Sequence, residues 1–219
     1  MTRNVQVQLA SRPEGWVKES DFRIVETDLP KAGPGEFVVR NHWLSLDPYM
    51  RGRMNAAKSY AKAVEIGEVM TAGAVGEVVE SNHPKFRKGE FVVGAFGWQH
   101  FAASSGEGVM HIDPKIVPMQ AYLGVCGMPG ATAWIGLLEH CAPKAGETVL
   151  VSAATGAVGS VVGQLAKLSG CRAVGIAGGR AAEVVVDALA ALASHDVCEC
   201  LGTACGRAIR CRCFLRGGR

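Results

Sequence analysis

Apolar and polar positions alternate in short runs through the first half of the chain. Val5-Gln6-Val7-Gln8-Leu9 switches at every step. Glu36-Phe37-Val38-Val39-Arg40 follows a Gly33-Pro34-Gly35 turn, and Ala74 to Glu80 precedes a polar turn at Asn82-His83-Pro84. Phe86 and the pair Lys88-Gly89 lead into Glu90-Phe91-Val92-Val93-Gly94. Successive side chains of a strand point to opposite faces, so each run predicts a short β-strand. Short strands separated by Gly and Pro predict a small barrel or sandwich. Gly76, inside the third run, predicts the sharp bend that closing a barrel needs.

From Pro118 the apolar spacing lengthens and predicts helices. Met119, Tyr122 and Leu123 begin the first; a second is expected after a Gly127–Gly130 turn, carrying Thr132, Trp134, Ile135, Leu137 and Leu138. A turn at residues 142–146 then leads to the most informative stretch, Glu147 to Gly170. Thr148-Val149-Leu150-Val151 reads as a buried strand. Ala153, Ala154, Gly156 and Gly159 form a small-residue turn, and Val158, Val161, Val162, Leu165 and Leu168 give a helical stripe. Strand, tight turn and helix are the opening of a dinucleotide-binding βαβ unit. Gly156 lets backbone approach a pyrophosphate, Gly159 lets the helix sit close on the strand, and the helix N-terminus offers N–H groups and partial positive charge. Ala154 stands where the first glycine of GxGxxG belongs, and an ordinary βα turn of small residues fits the bare pattern too. Residues 171–177 (CRAVGIA) predict a second, parallel strand with a right-handed crossover.

Composition narrows this picture. At 219 residues, with 48% hydrophobic and 20% charged positions, the chain is globular in character and holds one large domain or two small ones. No stretch is apolar for long enough to span a membrane, and the first residues lack the apolar core of a signal peptide. A net charge of +3 with scattered basic residues gives no reason to expect nucleic acid. Only Cys126, Cys141 and Cys171 precede residue 180, which suits a reducing, cytoplasmic setting. Cys198, Cys200, Cys205, Cys211 and Cys213 crowd the end without the spacing of a common zinc site, so no metal is expected. Beyond Gly179, residues 181–193 have a weak helical pattern; no lysine follows Lys167, and Ala, Arg, Cys and Gly dominate. Residues 180–219 are read as an atypical tail translated out of frame, with an unusual genuine subdomain as the other possibility.

Three strings carry a family resemblance: NHWLSLDPYMRGRM (Asn41 to Met54), LGVCGMPGATAW (Leu123 to Trp134) and VSAATGAVGSVVGQLAKLSGC (Val151 to Cys171). Together they resemble the zinc-free medium-chain dehydrogenase/reductase superfamily, and within it the NADP-dependent double-bond reductases: leukotriene B4 dehydrogenase/prostaglandin reductase, alkenal reductase and curcumin reductase. The resemblance runs from residue 1 to about Gly179, short of the family's usual length. It implies an α/β protein with a GroES-like N-terminal β-barrel (1–125), then linker helices and the first half of a Rossmann, doubly wound parallel-sheet domain (126–179), then the tail (180–219). It places Gly156, Ala157, Val158 and Gly159 at the cofactor pyrophosphate, Met128 and Thr132 near the nicotinamide, and Tyr49 in the substrate cleft. The family lysine for the 2′-phosphate of NADP(H) falls at Ala182; Arg180 is the substitute at short range.

The implied reaction is hydride transfer from NADPH to the β-carbon of an α,β-unsaturated ketone or aldehyde. The family's tyrosine donor from the second half has no counterpart here, and no catalytic residue is assigned. A zinc-dependent relative is disfavoured: no cysteine precedes Cys126, and His42, His83, His100, His111 and His140 are isolated. Asp47, Arg51 and Arg53 are either charge contacts beside the cleft or a structural ion-pair network, and Trp43 and Trp98 read as core aromatics rather than substrate platforms. The family is usually homodimeric through a sheet edge this sequence does not reach. With few strands of the parallel sheet, the faces of residues 148–152 and 172–177 are expected to lack neighbours, and Val161, Val162 and Leu165 to stay partly exposed. Two other readings stand beside the enone reductase: a non-catalytic remnant with residual nucleotide or partner binding, and a quinone reductase of the same superfamily.

Overall fold

Strand β1 (Asn4–Leu9) pairs antiparallel with β2 (Phe22–Thr27) along its whole length. The other edge of β1 is bonded by two loop segments: Val7 N–H donates to the Trp98 carbonyl (2.8 Å) and Met70 N–H to the Val7 carbonyl (2.9 Å). Leu9 is buried with Met54, Val64 and Met70, and Phe22 and Trp98 pack on this cluster with their rings 5.4 Å apart. This computed structural model describes residues 3–57 and 61–177. The weak helix at 181–193, the tail and Arg180 lie outside them.

After β3 (Phe37–Leu44) comes a single helical turn, α1 (Tyr49–Arg53), then β4 (Ala74–Ser81), β5 (Phe91–Gly94), β6 (Phe101–Ser104) and β7 (Met110–Ile112). The strands form one antiparallel sheet in the order β6-β3-β4-β5-β7. Phe37, Val39, Val78, Phe86, Val92 and Phe96 are among the residues of its core. The bend expected at Gly76 is present: the β3–β4 register slips on either side of Arg40, and a Cβ at Gly76 would collide with the Arg40 carbonyl. One correction concerns Trp43, expected in the core. Beyond Asn41 the β3 side chains are mostly exposed, and Trp43 keeps 52% of its surface.

The chain divides into two compact units, Met1–Leu123 and one beginning at Gly124. In the second, α2 (Met128–Trp134) starts inside the segment expected to be a turn. Pro129 sits in its first turn, where a missing N–H has no partner to lose. A π-helical turn, Ile135–Cys141, continues α2 and stops at Ala142, whose φ of 43° is left-handed. Strand β8 (Thr148–Ser152), helix α3 (Gly159–Leu168) and strand β9 (Arg172–Ile176) follow, with β8 and β9 parallel from Thr148↔Arg172 to Ser152↔Ile176. This is the expected βαβ unit.

Val161 and Val162 of α3 are covered rather than partly exposed, a second correction, while Leu168 at the end of the stripe is 85% exposed. Val161 and Val162 are buried with Ala133, Leu137, Val151 and Ala166, and Leu165 is half-buried against them. The stripe faces β8, β9 and the helices before them, so it does not depend on further strands. The opposite face of the two-stranded sheet meets the expectation: Leu150 is 37% and Ile176 55% exposed.

Candidate active site

Each unit carries part of the expected site. In the first, Tyr49 lies half-buried in α1, and the Arg53 guanidinium sits 5.5 Å from the centre of its ring, a cation–π arrangement. Five residues cannot hold a helix alone, and two arginines fix this one. Arg51 donates to the carbonyls of Pro13 (3.0 Å) and Gly15 (3.0 and 3.3 Å) and to Asn55 Oδ1 (2.6 Å). Arg12 donates to the carbonyls of Met54 (2.8 Å) and Val64 (3.2 Å) and pairs with Glu65 at 3.0 Å. Arg51 thus grips backbone oxygens and an amide rather than Asp47. Its work is to pin the 13–15 loop against the helix that carries Tyr49.

In the second unit, Met128 and Thr132 lie one helical turn apart on the exposed face of α2, and the Thr132 hydroxyl donates to the Met128 carbonyl at 2.7 Å. Gly130 between them faces inward. A Cβ there would collide with the Val125 carbonyl, so only glycine lets this turn close on the preceding segment. Sequence reading did not single out Gly130, although its place in GMPG was the available signal.

The turn between β8 and α3 is tightly built. Ala153 takes a left-handed φ of 51°, uncommon for a residue with a side chain. Its carbonyl accepts from Gly156 N–H at 2.9 Å, and Ala154 N–H donates to the Ile176 carbonyl at 3.1 Å. A Cβ at Gly159 would drive into the Ala153 carbonyl, which gives that glycine its expected role in helix–strand packing. The four residues divide by environment: Gly156 and Ala157 are exposed, Val158 is half-buried on the apolar core and Gly159 is buried. Val158 is the N-cap of α3 and makes no side-chain cap hydrogen bond. A helix start without such a cap, with exposed small residues before it, presents amide groups and positive dipole to an anion.

Other groups show no comparable arrangement. A shallow cavity of about 370 Å³ beside Phe91, His111 and Lys115 contains none of the expected site residues. Cys171 is buried, and desolvation, then the Glu147 carboxylate, push its thiol pKa up from 9.0. A raised pKa disfavours the nucleophilic thiolate. Among the described residues no three His, Cys, Asp or Glu side chains stand together as metal ligands, and no helix is long and apolar enough to cross a membrane.

Comparison with known proteins gives this geometry a family. Residues 5–112 match the family described as the N-terminal domain of oxidoreductase. The chain is 46% identical over 213 residues to an NADPH-dependent curcumin reductase of Escherichia coli (strain K12), covering 94% of this chain and 62% of that protein. It is 44% identical over 183 residues to the NADP(+)-dependent 2-alkenal reductase of Nicotiana tabacum, covering 81% of this chain and 53% of the relative. The crystal structure of CurA in complex with NADPH from Vibrio vulnificus superposes with a TM-score of 0.75 at 44% identity, covering 86% of this chain and 61% of that one. The chain belongs to the medium-chain dehydrogenase/reductase superfamily. Within that superfamily its sheet-and-ribbon unit corresponds to the GroES-like barrel, and it spans between half and two thirds of the length of these relatives. The curcumin reductase alignment, at 94% of the chain, includes residues beyond Gly179.

Proposed function

We propose that this chain is the substrate-side and cofactor-side portion of an NADPH-dependent oxidoreductase that reduces the C=C bond of α,β-unsaturated ketones or aldehydes. The observation that carries the reading is the β8–α3 turn. Exposed Gly156 and Ala157 precede a helix start without a side-chain cap, in a chain 46% identical to an NADPH-dependent reductase. Bound NADPH supplies the hydride for an enone or alkenal acceptor.

The residues have distinct tasks in this reading. Gly156 and Ala157 let the backbone meet the pyrophosphate, Val158 anchors the turn in the core, and Gly159 brings α3 onto β8. Met128 and Thr132 border the nicotinamide, and Arg180 takes the 2′-phosphate as a planar donor. Tyr49, steadied by Arg53 and by the Arg51 grip on its helix, lines the substrate side. The βαβ unit is the opening of a Rossmann sheet. We place the chemistry in the zinc-independent branch, since no cysteine precedes Cys126, and the protein in the cytoplasm.

The test is loss of reduced-nicotinamide absorbance when the 219-residue protein is mixed with NADPH and a simple enone, with a quinone in a parallel arm. Turnover of the enone at ordinary enzyme rates is expected, with Tyr49→Ala raising its KM. Preference for the quinone reassigns the acceptor. NADPH binding without turnover of either marks a nucleotide-binding remnant, and absence of both binding and turnover overturns the reading.

A further inference from the structure

The turn at residues 153–159 departs from the dinucleotide fingerprint at one place: Ala154 stands where the first glycine belongs. That glycine ordinarily permits the tight turn out of the strand. Here the position carries a methyl group and is still buried, at 5% exposure. The room for that methyl comes from across the ladder. A Cβ placed on Gly175 in β9 would lie 2.7 Å from the Ala154 Cβ, closer than two carbons pack, and apart from its two chain neighbours no other described residue comes within 4 Å of it. Gly175 has no left-handed backbone that would call for glycine. It sits inside a strand, where glycine normally weakens the pairing. The absence of a side chain at 175 is thus accounted for by one neighbour, the Ala154 methyl.

Ala154 is also tied to β9 by its backbone, donating to the Ile176 carbonyl at 3.1 Å, while the adjacent Ala153 holds the left-handed φ and receives Gly156 N–H. Any shift of Ala154 away from β9 therefore moves Ala153 and with it Gly156. We propose that Gly175 is a positioning residue of the cofactor turn: by leaving space for the Ala154 methyl it holds Ala153 and Gly156 where the pyrophosphate is met. The glycine missing from the fingerprint is, in effect, carried by the neighbouring strand. This rests on the NADPH reading above for its ligand and on the Ala154–Gly175 contact for its geometry.

The experiment is a double-substitution cycle on the full 219-residue chain, with NADPH fluorescence titrations and thermal melts for wild type, Gly175→Ala, Ala154→Gly and the double variant. Overpacking at this contact is expected to weaken NADPH binding in Gly175→Ala by roughly tenfold or more. In the double variant the new methyl at 175 meets an open position and binding returns to within about twofold of wild type, since well-separated groups do not couple. A Gly175→Ala protein that binds as tightly as wild type overturns the proposal. So does a double variant that binds no better than the single one, including the case where the single variant fails to fold. If wild type binds no NADPH, the functional reading fails, and the melts decide the contact. A lowered Tm for Gly175→Ala, restored in the double variant, then supports the Ala154–Gly175 coupling, and equal melts for the single and double variants overturn it.

Discussion

Cys171 shows how one buried atom couples the fold to pH. Its Sγ lies 3.3 Å from the Lys144 carbonyl and is shut away from solvent. Desolvation and the Glu147 carboxylate favour the neutral thiol, so the folded-state pKa lies above the unfolded value of 9.0. A group whose pKa is raised on folding contributes stability that is complete below its unfolded pKa and is lost as pH rises through the folded one. Thermal melts from neutral pH to above 9 should therefore fall more steeply for wild type than for Cys171→Ala, which has no thiol to titrate. Parallel slopes for the two proteins contradict the assignment. At the same scale, Ala153, Ala154 and Gly159 show why small residues in a pattern are not interchangeable. One holds a left-handed φ, one needs an open position on β9, and one admits no side chain at all.

At the scale of elements, α1 is the part that depends most on its surroundings. Its five residues have one buried side chain, Met50, and no length from which to draw cooperative stability. Arg12 supplies what the helix lacks by gripping the Met54 carbonyl at its C-terminal end, and Arg51, within the helix, ties it to the carbonyls of Pro13 and Gly15. Arg51→Met removes the donors to Pro13 and Gly15, a loss of roughly 0.5–1.5 kcal/mol for each such bond. It should speed limited proteolysis in the exposed 14–20 segment more than anywhere else in the first unit. Arg51→Lys should not restore protection, since a single ammonium cannot span both carbonyls as the planar fork does. Uniform protection across these variants excludes the clamp. Helix α3 stands at the other extreme: Val161 and Val162 of its stripe are buried on the βαβ core, and the stripe was readable from spacing alone.

At the scale of the molecule, among the described residues two apolar clusters lie in the residues up to 123 and one in the second unit. The second unit has one well-covered face and one open one. Leu137 is 2% exposed among α2, α3 and β8 neighbours, whereas Ile176 on the far face is 55% exposed. Denaturant unfolding should show a loss of about 2–5 kcal/mol for Leu137→Ala. Ile176→Thr should stay within about 0.5 kcal/mol, as for an exposed position. A large loss at Ile176 would mean that something other than the described residues covers this face.

The strands at 5–9, 36–40, 74–80 and 90–94, the helix from 158 and the parallel pair around it were legible because burial of one face imposes its period on local sequence. The roles of Gly76 and Gly159 were legible for a related reason, since a close backbone approach admits no other residue. Strand β2 was not, because Ile24 faces solvent in a two-stranded ribbon and breaks the alternation. Neither was α1, which is held by Arg12 and by the Pro13 and Gly15 carbonyls that Arg51 reaches, all distant in sequence, nor the exposure of Trp43, which depends on what packs across β3. The sequence by itself determined the fold class and the family resemblance, the first through local periodicity and the second through three strings of residues. Only the tertiary structure decided that Arg51 holds the Tyr49 helix and that Gly175 makes room for Ala154. Those relations join residues that no local pattern connects, and they exist only once the chain has brought them within a few ångströms.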